Sequence, residues 1–248
     1  MDLETRRLQQ LLETTGYFPE LILLKSSTTS TNDDVKEFAQ KGLNDVLVAS
    51  RIQTQGRGQR QRKWVSPDGN IYLSTLLQTQ TPIDGRLALE IALNILEMPS
   101  LQQLNLQVKW PNDLYSTLGK WGGILIEPIS SQQVVVGVGM NLSPLEESVD
   151  QEVTDLTSLG LNTTTSYIQL IHELYAAIQT AGQWFNFNSH NLGARFNHRA
   201  AFLNQNVTFE DMQDLHTGVF IGIEDDGSVK ISTSQGIKTF YQGRLRQV

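Results

Sequence analysis

Apolar residues return at helical spacing at Leu8, Leu11 and Leu12, which predicts a short amphipathic helix over residues 2–15. Gly16 to Pro19 break it, and the apolar run Leu21 to Lys25 reads as a strand. Ser30-Thr31-Asn32-Asp33-Asp34, followed by Val35, Phe38 and Ala39, has the form of a capped helix start. Side-chain oxygens there can accept from free N–H groups, and the aspartates face the positive end of the helix dipole. Lys41-Gly42 closes that helix, and Val46 to Ile52 is rich in β-formers. Residues 53–69 are polar and Gly-containing and read as a loop. Beyond them the pattern predicts a strand at Asn70–Leu77, a helix at Ile83–Met98, and strands at Leu106–Trp110, Gly122–Glu127 and Gln133–Gly139. Residues 141–164 read as a long loop, and Ser166–Phe185 as a helix with Leu170, Ile171, Leu174 and Ile178 on one face. Strands and helices mix without strict βαβ alternation, which predicts an α+β fold: a mixed β-sheet flanked by helices.

The tail changes character near Asn204. Residues 206–210, 217–224, 228–233 and 236–245 read as four short strands, with Asp226-Gly227 and Gln235-Gly236 as tight turns. A small barrel is expected there, so the division is into residues 1–203 and 204–248.

Composition narrows the function. The chain has 248 residues and a formal charge of −7, which argues against general nucleic-acid binding. It has no cysteine, so thiolate nucleophiles, Fe–S clusters and disulfides are excluded. The N-terminus has no signal-peptide pattern and no run is long and apolar enough to span a membrane, so a cytoplasmic protein is expected. The four histidines have no metal-ligand spacing, and no P-loop or Rossmann fingerprint is present.

Against this acidic background the sign inverts locally. Arg51 to Lys63 holds five of the 19 basic residues in 13 positions, with no Asp or Glu. Gly56 and Gly58 flank Arg57, so backbone amides and guanidinium groups can together form an anion cradle. A solvated, mobile loop would carry the same charge. Two further motifs weigh against that: Lys109-Trp110-Pro111-Asn112-Asp113-Leu114, where Pro111 restrains how lysine, amide and carboxylate are presented, and Lys120 just ahead of Gly122-Gly123.

In order and spacing, Ser30-Thr31-Asn32, Gly56-Arg57-Gly58 leading to Arg62-Lys63-Trp64, KWPNDL at 109–114, Lys120 with Gly122-Gly123-Ile124-Leu125, and Gly137-Val138-Gly139-Met140-Asn141 resemble the bacterial biotin protein ligases. The tail is similar to that family's C-terminal SH3-like barrel. The resemblance implies a catalytic domain like that of class II aminoacyl-tRNA synthetases. It also implies a two-step reaction in which biotin and MgATP give biotinyl-5′-AMP, and a carrier-protein lysine then takes the biotin. The carrier implied is the biotin carboxyl carrier protein of acetyl-CoA carboxylase. Metal enters only as Mg²⁺ on ATP.

Carried over by position, Ser30, Thr31 and Gln53 would bond the ureido ring, with Asn32, Gln59, Gly123 and Gly137 also on the biotin site. Arg57 and Gly58 would cover the valeryl chain and phosphate. Lys120 would sit between the biotin carboxylate and the α-phosphate. Asn112 and Asn141 would lie near the adenine or phosphates, and Lys109 and Asp113 would position the nucleotide. Lys120, Arg57 and Asp113 are the implied catalytic set, with Asp113 a candidate proton acceptor.

The chain departs from the family's commoner Gly-Arg-Gly-Arg-x-Gly-Arg loop at Gln59 and Gln61, which stand for an arginine and a glycine. Only 29 residues precede Ser30, too few for the DNA-binding domain of the repressor-type ligases, so no operator binding is expected. Monomer and homodimer both stay open. Lipoate–protein ligases share the implied fold but lack the Gly-Arg-Gly loop and KWPNDL. A nucleic-acid module built on the basic loop is disfavoured by the net charge and by a loop without interleaved aromatics.

Overall fold

The computed structural model describes residues 2–145, 147 and 151–248. Residues 146 and 148–150, within the expected 141–164 loop, lie outside the described residues. Helix α1 (Leu3–Thr14) begins where the Asp2 carboxylate accepts from the Thr5 amide at 2.8 Å, and it buries Leu8 and Leu12 completely. Strand β1 (Leu21–Lys25), helix α2 (Thr31–Gln40), β2 (Val46–Ser50), β3 (Ile71–Gln78), helix α3 (Arg86–Leu96), β4 (Gln107–Lys109), β5 (Asp113–Ser116), β6 (Gly119–Pro128) and β7 (Gln133–Met140) follow. Helices α4 (Tyr167–Asn186) and α5 (Leu192–Arg199) complete the larger unit.

The seven strands form one sheet in the order β1-β2-β3-β7-β6-β5-β4, parallel between β1 and β2 and antiparallel elsewhere. The expected mixed sheet flanked by helices is therefore present. Its two faces follow from side-chain alternation along the strands. Leu47, Ala49, Leu73, Ile124, Val134, Val136 and Val138 point to the face packed by α1, α3 and α4. Val46, Val48, Leu76 and Val135 point to the other, where Val35 of α2 covers them. The register brings Gly123 opposite Gly139 and Leu125 opposite Gly137 on that second face. Absent side chains thus leave a trough in the sheet beside the N-terminus of α2.

The tail holds five strands where four were expected: β8 (Asn206–Glu210), β9 (Leu215–Ile223), β10 (Val229–Thr233), β11 (Gly236–Phe240) and β12 (Arg244–Gln247). The expected last strand divides at residues 241–243, which sends β11 and β12 to opposite edges of the sheet β11-β10-β9-β8-β12. This five-stranded antiparallel sheet fits the expected SH3-like domain, and among the described residues its two edges do not pair, so the barrel is left open. Trp110 joins the units: its indole donates to the Gly227 carbonyl at 3.0 Å and its ring centroid lies 5.7 Å from that of Phe209. The apolar core runs without a break from Leu8 to Leu245. Among the described residues no helix is long and apolar enough to cross a membrane.

Candidate active site

The trough opens into a cavity of about 190 Å³. Its walls are the start of α2, the 53–66 segment, the β4–β5 turn and β6–β7, with Gly243, Arg244 and Leu245 of the smaller sheet at one edge. Every residue predicted from the sequence for the site lines it. Two clusters of polar groups face each other across it.

The first cluster gathers on α2. The Thr31 amide and hydroxyl both donate to Gln53 Oε1, at 3.0 and 3.1 Å, and Gln53 Nε2 donates to Ser66 Oγ at 3.1 Å. The helix start is therefore capped by a glutamine from the neighbouring loop rather than by Ser30, whose side chain makes no capping bond. Ser30 Oγ instead accepts from Arg57 at 3.1 Å. Sequence spacing suggested a self-capped helix; the tertiary partners displaced that arrangement because both Gln53 and Arg57 reach the same turn. Ser74 Oγ, buried in β3, lies 2.6 Å from Asn32 Oδ1 and 2.7 Å from Thr31 Oγ1. A Cβ on Gly137 would collide with the Asn32 carboxamide, so that register position has to be glycine.

Arg57 does not reach into open space. Its guanidinium binds Asp33 at 2.5 and 2.8 Å and Glu127 at 3.1 Å, leaving the side chain 17% exposed. The pair with Arg57 holds the Asp33 carboxyl below the usual range. Glu127 on β6 also accepts from Asn32 Nδ2 at 2.6 Å and from Lys36 at 2.8 Å. Burial would raise its carboxyl, but these donors hold it below the ordinary value. Sequence reading saw Glu127 only as the end of a strand; no motif marks a carboxylate whose partners come from α2 and from the basic loop. Gly58 closes the loop by donating to the Arg62 carbonyl at 2.8 Å, and the exposed Gln59 begins a 3₁₀ turn at the cavity mouth.

The second cluster belongs to the KWPNDL turn. Asp113 Oδ1 lies 2.5 Å from Lys120 Nζ, and Oδ2 lies 3.4 Å from Lys109 Nζ. Burial pushes the Asp113 carboxyl up, but the two ammonium groups outweigh it and hold the group ionised below the usual range. Burial pushes the Lys109 ammonium down, with Asp113 opposing. Lys109 and Asp113 are register partners at the ends of β4 and β5, and the Trp110–Pro111 bond between them is cis. Asn112 is tied to β6 through its Nδ2 bond to the Ile124 carbonyl at 2.6 Å. Gly123 lies under the Lys120 side chain.

Between the clusters lies Trp64. A Cβ on Gly139 would sit 2.6 Å from its indole, so the ring rests on bare backbone. Lys120 Nζ stands 5.2 Å from the ring centroid. Two buried polar atoms of this lining, Trp64 Nε1 and Asn141 Oδ1, have no partner among the described residues. An unmatched donor and an unmatched acceptor in a cavity wall are groups a bound molecule can satisfy. The arrangement suits a ligand with an uncharged polar head toward α2 and an anionic centre beside Lys120 and Lys109.

Comparison with known proteins agrees. Residues 23–141 match the Biotin/lipoate A/B protein ligase family and residues 202–244 match the Biotin protein ligase C terminal domain. The biotin--[acetyl-CoA-carboxylase] ligase of Mycobacterium tuberculosis is 32% identical over 219 residues, 82% of this chain and 79% of that protein. The bifunctional ligase/repressor BirA of Escherichia coli is 31% identical over 81% of this chain, which spans 65% of that longer protein. The biotin protein ligase of Aquifex aeolicus, solved in complex with biotin and ATP, superposes with a TM-score of 0.78 at 25% identity, over 93% of this chain and 100% of that one. With two matched families in the order of the two sheets and a relative this similar over most of its length, the chain belongs to the biotin protein ligase family.

Proposed function

We propose that this chain activates biotin with ATP to form biotinyl-5′-AMP and pyrophosphate, then passes the biotin to a lysine of a biotin carboxyl carrier protein of acetyl-CoA carboxylase. The observation that carries the reading is the Lys120–Asp113–Lys109 cluster at one end of a glycine-floored cavity whose other end is lined by neutral hydrogen-bonding groups. In the first step a biotin carboxylate oxygen bonds to the α-phosphorus and the bond to pyrophosphate breaks. Negative charge grows on the phosphoryl oxygens beside the Lys120 ammonium. Fixed charges aimed at developing charge are worth about 10²–10³ in rate per group. In the second step an ε-amine attacks the acyl carbon, AMP leaves, and the amine loses a proton.

Asp113 is held ionised by both lysines, which makes it a weak base, so we assign it the orientation of Lys120 and Lys109. Asp113→Asn that left the second step at full rate and slowed the first would support this over proton transfer. Ser30, Thr31, Asn32, Gln53 and Gly137 bind the ureido ring. Trp64, Asn112 and Asn141 serve the nucleotide, which brings its own Mg²⁺. The 53–66 segment covers the intermediate and excludes water. Catalysis belongs to residues 1–203, and residues 204–248 close one edge. The acidic chain is assigned no nucleic-acid partner and acts in the cytoplasm.

The test follows AMP and pyrophosphate release with biotin or lipoate, with and without a carrier domain. Adenylate formed with biotin alone, and carrier labelled in the second step, are the expected results. Turnover of lipoate in place of biotin would refute the substrate.

A further inference from the structure

We propose that Glu127 is a positioning residue for the biotin end of the cavity. This rests on the biotin ligase reading. Glu127 is not itself in the cavity lining, whereas two of the three groups it binds, Asn32 and Arg57, are. The third, Lys36, stands one helical turn beyond Asn32 on the same face of α2. One carboxylate on the sheet therefore ties down the start of a helix and the arginine of the covering loop.

The orientation of Asn32 depends on this tie. Its Nδ2 must face Glu127, and that leaves Oδ1 against Ser74 and over Gly137. An amide turned the other way would set Nδ2 against the position now held by Oδ1 and lose the bond to Glu127. Arg57 is handled similarly. Asp33 and Glu127 neutralise it together with Lys36, so the wall offered to the ligand here has no net charge. An uncharged polar ring suits such a wall, and an anion is better received at the opposite end by Lys109 and Lys120.

Glu127→Gln removes the charge at almost constant shape. Its new amide donor would face three groups that are themselves donors, so Asn32, Lys36 and Arg57 cannot all be held. Misplaced contacts of this kind cost up to about 10²-fold. In the full chain, steady-state adenylation and calorimetry with biotin alone should show KM and Kd for biotin raised about tenfold or more. The rise in biotin KM should exceed any fall in kcat at saturating biotin, and melting should remain cooperative. A merely structural role would lower the amount of active protein and leave the biotin KM in place. An unchanged biotin KM in folded Glu127→Gln overturns the proposal, as does a fall in kcat with KM constant. Should Glu127→Gln not fold, Glu127→Asp, which keeps the charge but draws it back by one methylene, gives the same two-sided comparison. A wild-type protein that makes no biotinyl-AMP overturns the underlying reading too. A wild-type protein that makes it, with variants indifferent to biotin concentration, overturns this inference alone.

Discussion

Asp113 shows how one side chain can set the chemistry of two others. Its carboxylate lies between the Lys120 and Lys109 ammonium groups in a buried site. Replacing Lys120 with methionine should lower the adenylation rate by about 10²–10³-fold, read as pyrophosphate release. The same variant has a pH signature. A carboxyl held below its ordinary value of 3.8 in the folded state contributes stability above that value and loses it as pH falls through the depressed value. Lys120→Met removes the nearer counter-charge and lifts the folded pKa. Acid unfolding monitored by circular dichroism should therefore begin at higher pH in the variant; an unshifted acid limb would refute the account. Most of this cluster was legible in KWPNDL and in the lysine before Gly122-Gly123, because short spacing and a proline constrain what those residues can do. Glu127 was not, because its partners lie 95, 91 and 70 positions away in sequence and no local pattern records them.

At the level of elements, long periodic segments were readable and short ones were not. Helices α1, α2 and α4 and strands β1, β3 and β7 lie close to their predicted places. Strand β5 has four residues and a register shift between Leu114 and Tyr115, too little for an alternation to be seen. Helix α5 has eight residues with glycine at its second position, and Asn188, Ser189 and Asn191 precede it in left-handed conformation. Its helical pattern is correspondingly weak. The helix expected from Ile83 starts at Arg86, because the Asp84 carboxylate accepts from the Arg86 amide and turns the chain first. The basic loop carries a related cost. Arg60 and Gln61 both have positive φ, 56° and 60°, and Gln61 stands where the family's commoner pattern has glycine. A side chain in that region costs roughly 1–2 kcal/mol, and glycine's extra freedom in the unfolded chain takes back about 0.4–1. Gln61→Gly should thus stabilise the protein by about 0.5–1 kcal/mol in urea unfolding. A destabilised variant would show that Gln61 makes contacts that outweigh its backbone.

For the molecule as a whole, the smaller sheet is part of the same core as the larger. Trp110 is 3% exposed and sits at their junction, bonded to Gly227 and against Phe209. Trp110→Ala should cost about 3–5 kcal/mol and give one cooperative transition at lower temperature in calorimetry. Two separate transitions would instead show that the units unfold independently. The tail's strand content was legible from its turns, but its closure was not, since a break at residues 241–243 decides which edge the last strand joins. The paired ammonium groups have one more consequence at this scale. The chain carries a formal charge of −7, yet the charged cluster at their end of the cavity holds two cations to one anion. The Debye length is about 8 Å at physiological salt. Farther away, a polyphosphate meets the screened repulsion of the net negative charge, and it is drawn in over the last few ångströms. Added electrolyte would then ease its arrival while loosening its hold once seated, so on-rate and residence time should move in opposite directions along a salt series.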